Sequence, residues 1–314
     1  MTIYIIKRLI AALIVVIGVT MITFGLLHVI ASSPGRAVLG LRATPQAVAA
    51  FNSTHGYDKP IYIQYIRYVG QLVQGNLGYS YKEGQSVAAL IKENLLRSAY
   101  LSGAAITLAI LLSFPVGIWQ AYKRNSISDY TVTAVAFTLY SMPSFFLGLL
   151  LIDFLALRLG WFPVEAAQQT NILAVIANIH AMFLPIITLT AVQMAAYSRY
   201  MRSSALDNLA QDYIRLARAK GLSERAVLAR HLFRNSSLAM ITLIGLSIPA
   251  LLAGNLITES LFNYPGLGFL FFTALQNEDY PVLLAITLMG AIAVVIGNLI
   301  ADIAITVADP RVRL

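Results

Sequence analysis

The sequence predicts an all-α integral membrane protein with six transmembrane helices. Hydrophobic residues make up 58% of the 314 residues, charged residues make up only 11%, and the apolar residues gather in long uncharged windows. A soluble domain carries about 25% charged residues, and about 20 consecutive apolar residues are enough to cross the hydrocarbon core of a bilayer. Six windows without Asp, Glu, Lys or Arg reach that length: residues 9–30, 99–122, 131–152, 173–198, 235–258 and 281–301.

The first window is interpreted as an uncleaved membrane anchor. It has 22 residues and follows Lys7 and Arg8, whereas the apolar part of a secretory signal peptide has about 7–15 residues. With an even number of windows, both termini lie on one side, together with the loops after the second and fourth windows. That side holds most of the Lys and Arg residues close to the windows, and Arg311 and Arg313 add to them at the C-terminus. Cytoplasmic loops carry such an excess, so both termini are expected to be cytoplasmic.

The segment between the first two windows is expected to lie on the outer side. Thr44 followed by Pro45 predicts the start of a helix, because threonine is a common N-cap and proline is favoured in the first turn. After Pro60, apolar residues recur at helical spacing, which predicts a helix on the outer membrane surface or against the bundle. These residues are Tyr62, Tyr65, Ile66, Val69, Leu72 and Val73. We divide the chain into an anchor plus external segment, residues 1–98, and a five-helix core, residues 99–314.

The most informative segment lies between the fourth and fifth windows, from Asp212 to Asn235, within a cytoplasmic loop at about residues 199–236. It is too polar to cross a bilayer and is predicted to form two short helices separated by Gly221, with Ser223 capping the second. Its apolar residues are predicted to form one helical stripe: Leu209, Tyr213, Leu216 and Ala217. Such a cationic helix pair favours docking of a soluble partner, although the same charges also satisfy the positive-inside rule and suit lipid headgroups.

Several kinds of chemistry are not supported by the sequence. A phosphate-binding loop requires a lysine that follows a glycine, and none of the lysines does so, which means that any ATPase must be another polypeptide. Cysteine is absent, and the four histidines lack metal-ligand spacing. The net charge of +8 is explained by loop positions, so no nucleic-acid partner is expected and the lipid bilayer is the predicted environment.

Few ionisable residues are predicted at membrane depth, and such groups usually face the bundle interior or a water-filled path. Glu259 is expected to line a polar path, because Asn255 lies one turn earlier on the same helical face. Asp302 is interpreted as a solvated interfacial group. Asp153 and Arg158 are five residues apart, a spacing that brings side chains together poorly on an α-helix.

Proline interrupts the second to fifth windows, at Pro115, Pro143, Pro185 and Pro249. Proline kinks free backbone groups that protein or water must satisfy, so they often mark gates or cavities, although each is also consistent with a packing feature.

Short motifs along the whole chain resemble one family. From Asp212 to Leu222 the sequence reads DYIRLARAKGL, preceded by GYDKPIYIQYIRYV, GNLGYSY, SMPSFFLGLLL and LGWFP, and followed by TESLFNYPGLG, NEDYP and ADPRVR. In this order they resemble the ABC importer permeases, in particular the peptide/nickel subfamily, whose EAA-type loop reads DY-[IV]-R-x-A-[RK]-A-K-G-L. Each piece alone is weak, but together they make a highly specific match.

Three departures from the family pattern are visible. Arg215 replaces the glutamate of the general EAA consensus, as is usual in this subfamily. Leu238 is followed by alanine instead of proline, which changes the expected entry into the fifth window. The P-G-D-P motif after the first window is replaced by PGRA, so an acidic group is lost at the external mouth.

The resemblance implies a type I ABC importer permease fold and a non-catalytic role as half of a translocation path for a peptide or peptide-like solute. It also implies three kinds of protein partner: a second homologous permease, two ABC ATPases or their heterodimer, and an extracytoplasmic solute-binding protein. ATP and Mg²⁺ would bind to the ATPases, and no cofactor would bind to this chain. The location would be the bacterial or archaeal cell (inner) membrane.

The resemblance also implies site residues. The coupling helix would span about residues 210–222, and its ATPase-coupling residues would be Asp212, Tyr213, Arg215, Ala217, Arg218, Lys220, Gly221 and Leu222. The residues expected on the translocation path are Ser141, Pro143, Asp153, Asn255 and Glu259.

Two other classes compete with this interpretation. A secondary transporter would be expected to show inverted repeats and paired charges at the membrane midplane, and neither is evident in the sequence. An intramembrane protease needs a nucleophile and a base at matching depth, but Gly78-Tyr79-Ser80 lies in the external segment without a following glycine.

Overall fold

The computed structural model describes residues 2–30, 34–40 and 42–308, and most of them are helical. Arg311 and Arg313, on which the predicted cytoplasmic C-terminus partly depends, lie outside the described residues, as do the side chain of Lys7 and most of the ADPRVR tail. The N-terminal elements are α1 (Thr2–Ile30), α2 (Pro34–Leu39), α3 (Pro45–His55), α4 (Ile61–Val73), β1 (Tyr79–Ser80) and β2 (Gln85–Ser86). The two short strands pair antiparallel, with Tyr79 opposite Ser86.

The rest of the described chain is helical with two π-helical stretches. The first elements are α5 (Val87–Tyr122), α6 (Ile127–Ser141), α7 (Ser144–Leu151), a π-helix (Ile152–Arg158), α8 (Ile172–Ala177) and α9 (Ile179–Leu209). They are followed by α10 (Asp212–Ala219), α11 (Glu224–Ala226), a second π-helix (Val227–Leu232) and α12 (Phe233–Ser236). The last elements are α13 (Leu238–Gly245), α14 (Ile248–Ala253), α15 (Leu256–Leu261), α16 (Leu267–Gln276) and α17 (Tyr280–Ala308).

The predicted helical membrane fold is confirmed. Within the described residues, α1, α5, α9 and α17 contain apolar stretches long enough to cross a bilayer. Two bent helix pairs pass the same test, Ile127–Ser141 with Ser144–Arg158, and Glu224–Ser236 with Met240–Ala253. The described chain therefore has four spans, or up to six if each bent pair forms one span.

Two of the four predicted helix-interrupting prolines lie at or next to helix breaks, and the other two lie inside helices. Pro143 occupies the break between α6 and α7, whose axes differ by 106°. Pro249 follows the break between α13 and α14, whereas Pro115 and Pro185 lie inside α5 and α9. Proline has no N–H to donate to the preceding turn, so a break at Pro143 is the expected response.

Helix α9 continues to Leu209, well past the window that ends at Ser198. The window stops at the first charged residue, Arg199, but a charge does not end a helix. The polar residues that follow are compatible with helix, and the chain turns only at Ala210 and Gln211.

The described residues divide into two compact units, which are each described separately. Unit 1 contains Met1–Ala99, Leu252–Ser260 and Pro265–Val295, and unit 2 contains Tyr100–Leu251, Leu261–Tyr264 and Ile296–Leu314. The apolar core of unit 1 draws on α5, α16 and α17: Val87, Leu90, Ile91, Leu267, Leu270, Ala274, Val282, Leu283, Ala285 and Ile286.

The external helices of unit 1 begin as predicted. The side chain of Thr44 caps α3 by accepting a hydrogen bond from the Ala47 N–H, with Pro45 in the first turn. Helix α4 packs against α1, where the Tyr65 hydroxyl lies 3.0 Å from Thr20 Oγ1. The face of α4 that carries Tyr65 therefore packs against a membrane helix, which is one of the two predicted locations. Tyr62, which was predicted on the same face, is exposed.

Unit 2 is held together by close helix packing around α5 and α9. Its largest core cluster includes Leu101, Met182, Leu184, Phe262 and Tyr264, all buried. At Gly117 on α5, a Cβ atom would lie 2.8 Å from the Ser198 carbonyl oxygen on α9, closer than packed atoms allow. Small residues of this kind let membrane helices approach each other closely.

Candidate functional site

The predicted helix break in the loop after α9 is confirmed. Gly221 follows α10 with φ +80°, a left-handed conformation that glycine adopts without strain. The Gly221 N–H donates to the Arg218 carbonyl at 2.9 Å, and the Leu222 N–H donates to the Ala217 carbonyl at 3.3 Å. These two bonds form a Schellman motif, which satisfies carbonyls at a helix end. Ser223 caps the next helix, as predicted, by accepting a bond from the Ala226 N–H.

One face of α10 is anchored in unit 2. Ile214 and Ala217 are buried in a cluster that also includes Ala121 from α5, Ala205 from α9 and Val227 from the second π-helix. This cluster therefore packs α10 against the ends of both α5 and α9.

The predicted apolar stripe is wrong in one residue. Leu216 is 56% exposed, while Ile214, which the stripe omits, is fully buried. The difference arises because α9 ends at Leu209 and the chain turns before Asp212, so Leu209 does not set the register of α10. Within α10, the inward face is Tyr213, Ile214 and Ala217.

The opposite face of α10 is exposed, cationic and partly apolar. Asp212, Arg215, Arg218, Lys220, Gly221 and Leu222 are exposed, and Leu216 belongs with them. Tyr213 and Ala217 instead face inward, and the Tyr213 hydroxyl donates to Asn208 Oδ1 at 2.6 Å. The eight predicted coupling residues therefore divide into six at the surface and two that hold the helix in place.

Two ion pairs lie on this surface. Arg218 binds Glu224 through both carboxylate oxygens, at 2.8 and 3.2 Å, which ties α10 to α11 across the Gly221 turn. Arg215 lies 3.3 Å from Asp212, with both side chains mostly exposed. Exposed pairs of this kind contribute only about 0–1 kcal/mol, so the charges remain available to a partner.

A buried ion pair that the sequence reading did not identify joins the start of α6 to α9. Arg202 donates through Nε to Asp129 Oδ1 at 2.8 Å and through Nη2 to Oδ2 at 2.7 Å. The Asp129 side chain is 1% exposed and also accepts the Asn125 N–H. Nothing local in the sequence indicates this partner, since the two residues are 73 positions apart.

We expect Asp129→Asn to lower the thermal stability of the purified protein. The change weakens a two-pronged charged contact at a buried position, and a hydrogen bond to a charged group contributes about 1.5–3 kcal/mol. The measurement is the melting temperature in detergent. Asp212→Asn, at an almost fully exposed carboxylate, is the matched control and should leave it unchanged. Equal melting temperatures for both variants would contradict the prediction.

Two of the predicted path residues lie at the bend between α6 and α7. Ser141 and Pro143 are both exposed on the surface of the described chain. Asp153 lies further on, in the first π-helix, where its carboxylate is 2.8 Å from Arg158 Nη2. The expectation that these two side chains remain apart was wrong, because π-helical winding brings residues five apart onto one face.

Glu259 occupies a different environment from the expected polar path. Its side chain is fully buried in unit 1, where Oε1 accepts the Asn255 N–H at 2.9 Å and the Ser98 hydroxyl at 2.7 Å. Its Oε2 accepts the N–H groups of Gly268 at 2.7 Å and Phe269 at 3.2 Å. Glu259 thus caps the first turn of α16 through the N–H groups of Gly268 and Phe269, and Asn255 takes part through its backbone N–H.

The glycines around Glu259 make room for its carboxylate. A Cβ atom at Gly266 would lie 2.4 Å from Oε2, and one at Gly254 would lie 2.9 Å from Oε1. The described residues contain no group of three or more His, Asp or Glu side chains that could hold a metal ion.

Comparison with known proteins identifies relatives along the whole chain. Residues 113–314 match the family described as binding-protein-dependent transport system inner membrane component, and residues 1–102 match the N-terminal region of such membrane components. The oligopeptide transport system permease protein AppB of Bacillus subtilis is 37% identical over 315 residues, which covers 100% of both chains. The dipeptide transport system permease protein DppB of Escherichia coli K12 is 34% identical, covering 99% of this chain and 98% of that protein. The glutathione transport system permease protein GsiC of Salmonella paratyphi A is 32% identical, with 99% and 98% covered.

Proposed function

This chain belongs to the family of binding-protein-dependent transport system inner membrane components, and we propose that its substrate is a peptide or peptide-like solute. The chain is a multi-pass membrane permease subunit of an ABC importer with the type I permease fold, a transport subunit and not an enzyme. Such a subunit forms part of the translocation path and works with another permease, an ATPase and a substrate-binding protein. The names of its oligopeptide, dipeptide and glutathione relatives support the peptide class.

We infer an assembly of this chain with one further permease and two ABC ATPases, identical or as a heterodimer, served by an extracytoplasmic binding protein. ATP and Mg²⁺ would bind to the ATPases, since no lysine of this chain follows a glycine. Both termini would be cytoplasmic in a bacterial or archaeal cell membrane. Residues 1–98 would form the anchor and external segment, and residues 99–314 the five-helix core with its coupling loop at about 199–236.

The exposed face of α10 is the single observation that carries the coupling role. This face combines cations with the apolar side chains of Leu216 and Leu222, while its reverse is packed on α5 and α9. A soluble ATPase that binds the exposed face of α10 and moves it would also move α5 and α9, because the buried face of α10 packs against them. We assign ATPase contact to the six exposed coupling residues and Leu216, and a positioning role to Tyr213 and Ala217.

For the translocation path, the exposed positions at the helix bend are the best candidates. Ser141 and Pro143 are open to the surface of the described chain, and the Asp153 carboxylate is half-buried next to Arg158. The Glu259 carboxylate, also predicted on the path, accepts hydrogen bonds from Ser98 and from the N–H groups of Asn255, Gly268 and Phe269.

The test is affinity purification of the tagged chain from its own host, followed by mass spectrometry. We expect the wild type to bring a second permease and ATPase subunits, and Leu216→Glu to lose the ATPases while retaining the second permease. A buried charge in a docking surface is unfavourable. Ile127→Glu is the matched control, since Ile127 is 87% exposed at the first residue of α6 and should leave ATPase recovery unchanged.

Two outcomes would contradict this function. Repeated recovery of an intact wild-type chain without an ATPase would overturn the coupling role and favour an ion-driven secondary transporter. A complete ATP-driven complex that imports none of a set of labelled di- and oligopeptides would overturn the peptide class while leaving the importer role intact.

A further inference from the structure

A cavity of about 710 Å³ lies inside unit 1. Its walls include parts of α1, α3, α4, the β1–β2 hairpin and the start of α17. Small-molecule sites in proteins usually have volumes of about 300–1,000 Å³, so the cavity has the size of a binding site. None of the predicted coupling or path residues lines it, so neither of those two roles accounts for it.

Aromatic side chains from several elements line this cavity. The rings of Phe24 on α1 and Tyr68 on α4 stack with their centres 5.6 Å apart. The Tyr81 hydroxyl lies 2.9 Å from His55 Nε2, which ties the hairpin to α3. Such ring faces favour stacking against a flat apolar ligand. The other aromatic residues of the lining are His28, Tyr57, Tyr79 and Tyr280.

Arg67 is the only Lys or Arg among the described residues that line the cavity. Its Nη1 donates to the His55 carbonyl at 3.3 Å. A Cβ atom at Gly56 would lie 2.1 Å from Nη1, so the guanidinium lies directly against the Gly56 backbone. Within the described part of the chain, Arg67 forms no ion pair with a carboxylate. Its remaining N–H groups can therefore bind an anion, and a guanidinium matches a carboxylate through two parallel hydrogen bonds.

The described residues of the cavity lining include no Asp or Glu. Glu278 and Asp279 line a separate small depression beside the cavity. Asp279 is 6% exposed and accepts a hydrogen bond from the Ser80 hydroxyl, so it is already engaged within unit 1. An ammonium group on a ligand would find no carboxylate in the described lining. The lining therefore favours an anionic ligand over a cationic one.

The Tyr68 hydroxyl is a second polar group that a ligand can use. Tyr68 lines the cavity, and its hydroxyl oxygen is buried without a hydrogen-bond partner among the described residues. Burial raises the pKa of Tyr68 to about 12, so the group remains an O–H donor at neutral pH. Buried polar groups in native proteins are nearly always hydrogen-bonded. An acceptor on a bound ligand would satisfy this hydroxyl.

We propose that this cavity binds a small aromatic carboxylate, held by Arg67 at its anionic end and by the Tyr and Phe rings along its flat face. A carboxyl group with a pKa of about 3.5 is ionised at neutral pH. A lipid acyl chain fits less well, because polar groups packed against hydrocarbon are unfavourable. Such groups in the lining are Asn52, Gln64 and Gln71.

Two sources supply this chemistry, a free aromatic acid and the C-terminal residue of a peptide. The second source rests on the proposed peptide function, whereas the first does not.

The absence of cysteine from the sequence permits a test that is localised to the cavity. Ser86→Cys places the single thiol of this chain in the lining. The intact complex in lipid nanodiscs is treated with N-ethylmaleimide, and modification of this chain is followed by mass spectrometry. N-acetylphenylalanine should protect the thiol at a concentration about tenfold lower than its amide, which has the same ring without the charge, because charged hydrogen bonds are stronger than neutral ones.

Arg67→Gln in the Ser86→Cys chain should remove this preference for the acid, and Arg67→Lys should retain part of it. Lys92→Gln is the matched control, since it removes an exposed cation of unit 1 outside the lining, and it should leave the preference unchanged. Ser53→Cys is the control for the thiol. Ser53 is exposed on α3 and does not line the cavity, so neither compound should protect it.

Tyr68→Phe tests the second contact. Loss of one neutral hydrogen bond should weaken protection by the acid about threefold. The melting temperature should stay unchanged, because the hydroxyl has no partner in the described chain to lose. A lower melting temperature with unchanged protection would show that the hydroxyl serves the fold, and it would overturn this contact.

Equal protection by N-acetylphenylalanine and its amide in the Ser86→Cys chain, or protection by neither, would overturn the proposal. Protection by dihexanoyl phosphatidylglycerol alone would assign the cavity to a lipid, with the same consequence. Alanylphenylalanine distinguishes the two sources. Protection equal to that by N-acetylphenylalanine would indicate a peptide C-terminus, and clearly weaker protection would indicate a free aromatic acid. Failure of the importer to take up any peptide would overturn the proposed function and leave protection by N-acetylphenylalanine unaffected.

Discussion

Replacement of Gly221 with valine is expected to abolish ATP-driven import by a complex that contains this chain. Gly221 has φ +80°, a conformation that costs L-residues about 1–2 kcal/mol and β-branched residues more. A Cβ atom here would meet no other atom within 4 Å, so the effect arises from the backbone alone. Relief of the strain would break the Schellman bonds and move Leu222 and the Arg218–Glu224 pair.

The measurement is import together with ATPase activity in reconstituted vesicles. An uncoupled complex hydrolyses ATP without importing solute, so the two activities must be measured together. Gly221→Asn is the matched control, because asparagine tolerates the left-handed region far better than valine, and it should retain most of the import. Purified Gly221→Val complex that imports at the wild-type rate would show that the turn is not required for coupling.

Alanine at Glu259 is expected to prevent normal accumulation of the chain in the membrane. The substitution leaves the Ser98 hydroxyl and the N–H groups of Asn255, Gly268 and Phe269 without their acceptor. Each buried unsatisfied group costs about 1–3 kcal/mol, whereas the net stability of a domain is only about 5–15 kcal/mol. The loss is therefore a large fraction of the net stability of a typical domain.

The readouts for Glu259→Ala are its abundance in membranes and its melting temperature in detergent. Glu83→Ala, at an exposed glutamate of the same unit, should match the wild type in both. If Glu259→Ala accumulates and melts normally but imports slowly, then holding these buried donors is not the main role of Glu259. A place for Glu259 on the translocation path, as the sequence predicts, would then be favoured.

The sequence predicts those features that depend on composition or on neighbouring residues. Long uncharged windows locate the membrane helices. The fourth window nevertheless ends at Ser198, before the first charged residue, whereas α9 continues to Leu209. The caps at Thr44 and Ser223 and the left-handed Gly221 are recognisable because each uses residues within a few positions. Local chemistry of this kind leaves a local signal.

The features that escape prediction depend on distant contacts or on unusual helical winding. The register of α10 is set by packing on Ala121 and Ala205, far away in sequence. The Asp153–Arg158 pair forms only because that stretch is π-helical, which spacing rules for α-helices do not anticipate. For Glu259, the sequence shows only a carboxylate next to an apolar window. Such a carboxylate can line a water-filled path or bind buried backbone N–H groups, and the sequence does not distinguish the two.

The composition of unit 1 has a consequence for the order in which the protein is made. Its core joins Val87, Leu90 and Ile91 to residues of α16 and α17, but the ribosome synthesises all of Tyr100–Leu251 in between. At a synthesis rate of about 5–20 residues per second, roughly 10 to 30 seconds pass between synthesis of Val87, Leu90 and Ile91 and synthesis of the α16 and α17 residues that pack on them. During that interval the nascent chain depends on lipid, the insertion machinery or a chaperone to cover these side chains. A ribosome that stalls before Leu252 therefore releases a fragment that lacks the α16 and α17 part of the unit 1 core. We expect membrane quality-control proteases to degrade such a fragment.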